Sequence, residues 1–300
     1  MSNTNMIENE QYNVDKTWRR EEPSNVDDCL ERLVKLSNDG NKLECHGASK
    51  LKYDGKFTIR SKFDIRFFNE NNKNKHPKVV EKYLLKSFIQ KAKPYFPPEA
   101  HQFIDAAHLK WDTIYNTGTV FIGRHYRLPT RCVDWTTNPL IALFFACSNW
   151  QDLNEPGVVW WMYYNDFSKA IATQWPVFYN KFERIEDDFE NDFTEEIDRD
   201  ILIRFHYKCL LDRPIKQKAH IILCGNYNVH HDKKIYDLEV LTKTHIECGR
   251  IVISSNMKFD LLEKLNLLGI NKITLGIEDT YIVSCHGKKL DYSTKNAALI

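Results

Sequence analysis

The densest group of reactive side chains in the sequence lies between Arg124 and Arg131. Arg124, His125 and Tyr126 precede Leu128-Pro129-Thr130-Arg131, so several donors and one phenol ring fall within eight residues. Guanidinium groups pair with phosphate and a tyrosine ring stacks on a planar base, so the run suits an anionic or aromatic ligand such as a nucleotide. A structural network around one buried arginine has the same composition. Next comes Asp134-Trp135-Thr136-Thr137, between the apolar pair Cys132-Val133 and Asn138-Pro139. Thr137 or Asn138 can cap a helix that has Pro139 just inside it. Capping accounts for neither Asp134 nor Trp135, and an acid at a strand end above a helix start is a common position for a site residue. Two weaker features complete the set. Cys45-His46-Gly47 puts a donor beside a residue that permits close approach of backbone or ligand, although a structural histidine fits as well. Gln217 stands in Arg213-Pro214-Ile215-Lys216-Gln217-Lys218-Ala219, just before a strand-like run.

Other chemistries find no support. The chain holds no G-x-x-x-x-G-K-[ST] or G-x-G-x-x-G phosphate loop, no G-x-S-x-G elbow and no H-E-x-x-H helix. Its 8 cysteines form no C-x-x-C pair, and several sit in apolar runs, so free buried thiols are expected. No Cys/His cluster has zinc spacing, and no metal is expected. His125 and Cys132 gain no weight as a nucleophilic pair from spacing alone.

The elements that must position these residues follow from local pattern. Cys29–Leu36 has helical spacing with Asp27 or Asp28 as cap, and Asn38-Asp39-Gly40-Asn41 is a turn. Leu43–Gly47 reads as a strand. Pro77 opens a helix to about Lys93 whose Val80, Leu84, Leu85 and Phe88 share a face, and a second helix is expected over Glu99–Leu109. Cys132–Val133 is a short buried strand, Asn138–Ser148 an apolar helix, and Val158–Tyr164 the clearest strand. The acidic stretch Glu183–Asp200 reads as a helix or insertion with a solvated face. Strands follow at His220–Cys224 and Arg250–Ser254. A helix over Asp260–Leu268 is closed by Gly269. Residues 1–15 are polar and expected to be disordered. With 42% hydrophobic residues and a formal charge of +1, residues 16–300 read as one α+β domain and not as a duplex-coating protein. The apolar runs are too short to span a bilayer and the first residues are polar, so a cytoplasmic protein with no membrane partner is expected.

The run Arg124–Ala146, RHYRLPTRCVDWTTNPLIALFFA, closely resembles the signature of the FRG-domain family. Arg213–Ala219 looks like that family's R-x-x-x-Q-x-G segment, Ile251–Ile277 resembles its closing strand and helix, and Glu44–Ser49 stands where the name-giving F/Y-R-G motif belongs. The resemblance covers about residues 25–280. The sequence departs from the pattern at His46, where the family has Arg, at Arg124, where Gln is usual, and at Ala219, where Gly is usual. A weaker similarity links the same runs to the ADP-ribosyltransferases. His46-Gly47 resembles their R-G or H-G step, Asp134-Trp135-Thr136 falls on their S-T-S position, and Gln217 falls near their Glu.

This second resemblance implies split mixed or antiparallel sheets with flanking helices. It implies an enzyme that cleaves NAD and passes ADP-ribose to a macromolecular acceptor, protein or nucleic acid, as in a bacterial toxin with an antitoxin or a phage-defence effector. His46 would hydrogen-bond the adenosine ribose, Arg124 or Arg131 the pyrophosphate, and His125 would add a donor. Tyr126 or Trp135 would stack on nicotinamide, with Gly47 and Thr136 lining the cleft. Asp134 would oppose the oxocarbenium charge, since Gln217 carries none. The reading requires His46, Tyr126, Asp134 and Gln217 on one cleft. Without an acid at the third motif, a nucleotide- or NAD-binding module without transfer is the alternative, and a structural or partner-binding domain is a third.

Overall fold

The computed structural model describes residues 12–53, 58–61, 63–65, 76–92, 120, 123–124, 128–174, 202–205, 212–226 and 229–277. Its strands are β1 (Arg19–Glu21), β2 (Leu43–Ala48), β3 (Cys132–Thr136), β4 (Gly157–Tyr163), β5 (Leu202–Phe205), β6 (Ala219–Cys224) and β7 (Cys248–Ile253). They form one seven-stranded sheet in the order β1-β7-β4-β2-β3-β6-β5. β1 runs parallel to β7, and every other neighbour is antiparallel. The sheet is continuous and not split as expected. It nevertheless narrows at one seam: β2 pairs with β4 from Leu43 to Ala48 but with β3 only at Cys45–Thr136.

Six longer helices flank this sheet among the described residues. They are α1 (Val26–Asn38), α2 (Pro77–Ala92), α3 (Pro139–Cys147), α4 (Tyr164–Gln174), α5 (His231–Thr242) and α6 (Lys258–Leu267). One face of the sheet, carrying Leu43, Cys45, Val159, Trp161, Ile251 and Ile253, packs against α1, α3 and α6. The other, carrying Val133, Trp135, Val158, Trp160, Met162, Ile222 and Val252, packs against α4 and α5. Period-2 alternation does the sorting, because each strand sends successive side chains to opposite layers. The result is an α+β architecture with helices on both faces.

Local chemistry fixes the helix that carries the central motif. Asn138 caps α3 by accepting from the Leu140 amide at 3.0 Å, with Pro139 in the first turn. The helix is apolar on every side and buried between sheet and outer helices. It lies close because two strands offer glycine beneath it. An added Cβ at Gly47 would sit 1.8 Å from the Ala142 carbonyl oxygen, and one at Gly157 would sit 2.4 Å from that of Ala146. Gly47 therefore admits a helix backbone, which accounts for it without a ligand.

Other expectations shift in detail. The cap of α1 is Asn25, which accepts from the Asp28 amide at 2.9 Å, and not Asp27 or Asp28. Gly269 closes α6 at φ +76°, as expected for a left-handed cap. Residues 12–15, expected to belong to a disordered tail, are held in the fold. The Tyr12 hydroxyl donates to buried Asp232 at 2.6 Å, and Asp15 pairs with the fully buried Arg250. Residues 1–11, the expected helix over Glu99–Leu109 and the acidic stretch Glu183–Asp200 lie outside the described residues. Six cysteines are free and buried, as expected. Burial pushes the thiols of Cys29, Cys147 and Cys224 up to about 12 and raises that of Cys132 too, which leaves them poor nucleophiles. Cys209 and Cys285 are outside the described residues. Among those residues no helix is long and apolar enough to cross a membrane.

Candidate functional site

The seam between β2 and β3 is where the site residues gather. Beyond Cys45–Thr136 the ladder gives way, and the His46 ring takes over its hydrogen bonding. Nδ1–H donates to the Asp134 carbonyl oxygen at 2.7 Å. That bond sets the tautomer, so Nε2 keeps its lone pair. Burial pulls the imidazole down to about 4, against the Asp134 carbonyl and carboxylate that favour its charge, and Arg124 lowers it further. His46 is therefore a neutral, partly buried acceptor. Its ring lies 5.8 Å from that of Trp135.

Asp134 faces away from His46. Its neighbour Trp135 shares the His46 side, so alternation turns the Asp134 side chain to the opposite layer. Its carboxylate is 39% exposed and pairs with Arg124 at 2.5 Å, the arginine side chain being only 9% exposed. The acid and the arginine expected to serve different parts of a nucleotide thus neutralise each other.

Several assigned roles are replaced by structural ones. Arg131 is 2% exposed. Its Nε donates to Glu81 at 2.7 Å, its backbone amide to the same carboxylate at 3.1 Å, and Nη1 to the Gly225 carbonyl at 2.8 Å. It clasps α2, β3 and the end of β6, and it offers no group to pyrophosphate. Thr136 donates to the Gln217 carbonyl at 2.8 Å and accepts from the Asn138 amide at 3.1 Å, bracing the start of α3. Trp135 is 1% exposed, so its faces do not receive a nicotinamide ring. The Gln217 side chain donates to the Leu275 carbonyl at 3.0 Å. Leu275 belongs to the core layer of α3 and α6, so Gln217 lies on the opposite side of the sheet from His46. The required convergence of His46, Asp134 and Gln217 does not occur. His125 and Tyr126 lie outside the described residues.

Sequence reasoning missed the polar groups on the His46 side. Glu44, two residues before His46 on β2, is 1% exposed. It accepts from Arg204 at 3.0 Å and pairs with His220. Burial opposes its charge, yet His220 and Arg204 hold its carboxyl below the ordinary value. Arg204 also lies over the Tyr164 ring at 4.4 Å. The signal was present as a glutamate one residue after the buried Leu43, on the same strand parity as His46. His231, at the start of α5, is 2% exposed and donates from Nε2–H to the Ile222 carbonyl at 3.2 Å. Burial lowers it to about 3, with the Ile222 bond opposing and the Arg131 cation adding to the shift.

These two histidines predict an acid-sensitive fold. Unfolded, each titrates at its ordinary 6.5; folded, each stays neutral far below that. Between those values the unfolded chain binds protons that the native chain refuses, so the stability present above pH 6.5 is lost as pH falls. Melting temperature is expected to fall from pH 7 to pH 5, with buried His231 giving a slope of up to about 1.4 kcal/mol per pH unit. His231→Phe should flatten that slope. Equal slopes in the two proteins would contradict the assignment.

The family comparison meets this geometry at the α2–Arg131 clasp and the β3–α3 unit. A family model, the FRG domain, matches residues 55–155. The chain carries an FRG domain. The match begins after His46 and ends before Gln217, so it is shorter than the span of about 25–280 expected from the sequence. It takes in Glu81, Arg131 and all of β3 and α3. No curated protein and no solved structure matches the chain.

Proposed function

We propose that this FRG-domain protein is a nucleotide-binding module that takes NAD or another adenosine nucleotide at the β2–β3 seam. The observation that carries the reading is the interrupted ladder with His46 held across it in one neutral tautomer, Nε2 left as an acceptor. Such a group is ready to receive a ribose hydroxyl with no protonation change near neutral pH. The sequence holds no glycine-rich phosphate loop, so the nucleotide would be held by its sugar and base more than by a phosphate cradle. Calorimetry is expected to detect NAD binding, weakened roughly tenfold by His46→Ala as one hydrogen bond of about 1.4 kcal/mol is lost. Absence of binding by both NAD and ADP would end this reading.

Transfer of ADP-ribose is the second reading, as the ADP-ribosyltransferase resemblance implies. The observation in its favour is the Asp134 carboxylate, exposed enough at the seam to meet a ligand. Against it stand the turn of the Asp134 side chain away from His46, its ion pair with Arg124, and the uncharged Gln217 engaged with Leu275. If Asp134 opposes an oxocarbenium charge, Asp134→Asn should stay folded and lose on the order of 100- to 1000-fold in nicotinamide release. On the binding-module reading, wild-type protein releases no nicotinamide with or without a protein or nucleic-acid acceptor.

A further inference from the structure

One row of side chains crosses four strands to reach His46. Arg20 pairs with Arg250, Arg250 with Trp160 and Trp160 with His46, and residues paired directly across strands share a face. The N-terminal segment Tyr12–Glu21 is seated on this row. Trp18 is fully buried and meets Trp160 edge-on, ring to ring at 5.1 Å. Asp15 pairs with Arg250, whose guanidinium lies 5.7 Å from the centre of the Trp160 ring. The Tyr12 hydroxyl donates to Asp232 at 2.6 Å, and its ring lies 5.3 Å from that of Tyr236 on α5. The segment thus covers β7 and β4, and the next strand is β2 with His46.

The seat is lightly held. The helical turn Val14–Thr17 buries no residue, and β1 is a three-residue strand at the sheet edge. The Asp15 side chain is 55% exposed. Segments with few buried contacts and solvent-facing hydrogen bonds open at low cost. Lifting strands no carboxylate, because Asp232 keeps the Thr58 hydroxyl at 2.7 Å and the Ile59 amide at 2.9 Å. His46 itself is only partly exposed. On one flank stands Trp135, fixed within β3 and 5.8 Å away. On the other stands Trp160 with Trp18 upon it, and only that flank is closed by a segment near a chain end.

We propose that Tyr12–Glu21 is an autoinhibitory strap, latched by the Tyr12–Asp232 and Asp15–Arg250 contacts, which closes the Trp160 flank of the His46 site. An adenosine nucleotide binds the form in which the strap has lifted. The strap rests on the nucleotide reading above and adds its regulation. Apparent affinity scales with the fraction of open protein, so loosening a latch tightens the nucleotide. By linkage, the nucleotide lifts the strap.

Calorimetry and hydrogen-exchange mass spectrometry with ADP on the full chain test it. Tyr12→Phe and Asp15→Asn each remove one latch, and each is expected to bind ADP roughly threefold to tenfold more tightly than wild type. Damage to the fold would weaken binding instead. In wild-type protein, ADP should raise deuterium uptake over residues 12–21. If ADP binds but both variants bind it no more tightly than wild type, or if ADP leaves or lowers uptake in that segment, the strap is overturned and the nucleotide reading stands. If neither ADP nor NAD binds, both fall.

Discussion

Gly47→Ala is expected to cost about 3 kcal/mol or more of stability, at the upper end of what overpacking usually costs. The new Cβ would lie 1.8 Å from the Ala142 carbonyl oxygen and 2.7 Å from its carbon. Both sides of the contact are backbone, so no side chain can swing aside. Relief requires α3 to lift off β2, which uncovers Ala142, Leu143 and Ala146, all fully buried. Gly40 supplies the comparison. It has open space around it but φ +74°, so Gly40→Ala meets only the left-handed backbone penalty of about 1 kcal/mol. Thermal or urea melts of the two variants should differ strongly. A Gly47→Ala protein melting within about 2 °C of wild type would show that α3 does not rest on this glycine.

That glycine shows what could be read from the sequence. Gly47 announced a close approach, but the approaching group, a helix nearly 100 residues away in the chain, leaves no local mark. The β3–α3 unit was legible because its signals are neighbours: an apolar strand, Asn138 as cap, Pro139 in the first turn, then an apolar helix. The end of α6 was legible for the same reason, through Gly269. The short strands β1 and β5 were not. Arg19-Arg20-Glu21 has no apolar alternation, and its pairing with β7 is decided some 230 residues away. α4 starts directly from β4 with no turn residue between them, so the strand pattern hid it. At the site, residue types were legible and partners were not. Arg131 with Glu81 and Glu44 with His220 form across the fold, and Arg124 with Asp134 pairs two residues of one motif that had been given separate roles. One further signal was available. Period-2 parity alone places Asp134 and Trp135 on opposite layers, and Glu44 on the same layer as His46.

Arg131→Ala is expected to be the most destabilising single change in the FRG motif, by about 3 to 5 kcal/mol. Arginine and glutamate are each 2% exposed at the side chain, so deleting the cation strands a buried carboxylate. Glu81 would then have to bury an unpaired charge or take up a proton, and either choice penalises the native state. The Cys224 and Gly225 carbonyls at the end of β6 lose their donor as well. Arg131→Lys rescues little, because an ammonium cannot reproduce the fork that reaches Glu81 and β6 together. Removing the charges as a pair separates a clasp from a ligand contact. In Arg131→Met/Glu81→Met no buried charge remains unpaired, and most of the lost melting temperature should return. A pyrophosphate-binding Arg131 would behave otherwise: the single variant would melt normally and lose nucleotide affinity, and Glu81→Met would not compensate it. Recovery of stability in the double variant is the outcome that the buried geometry requires.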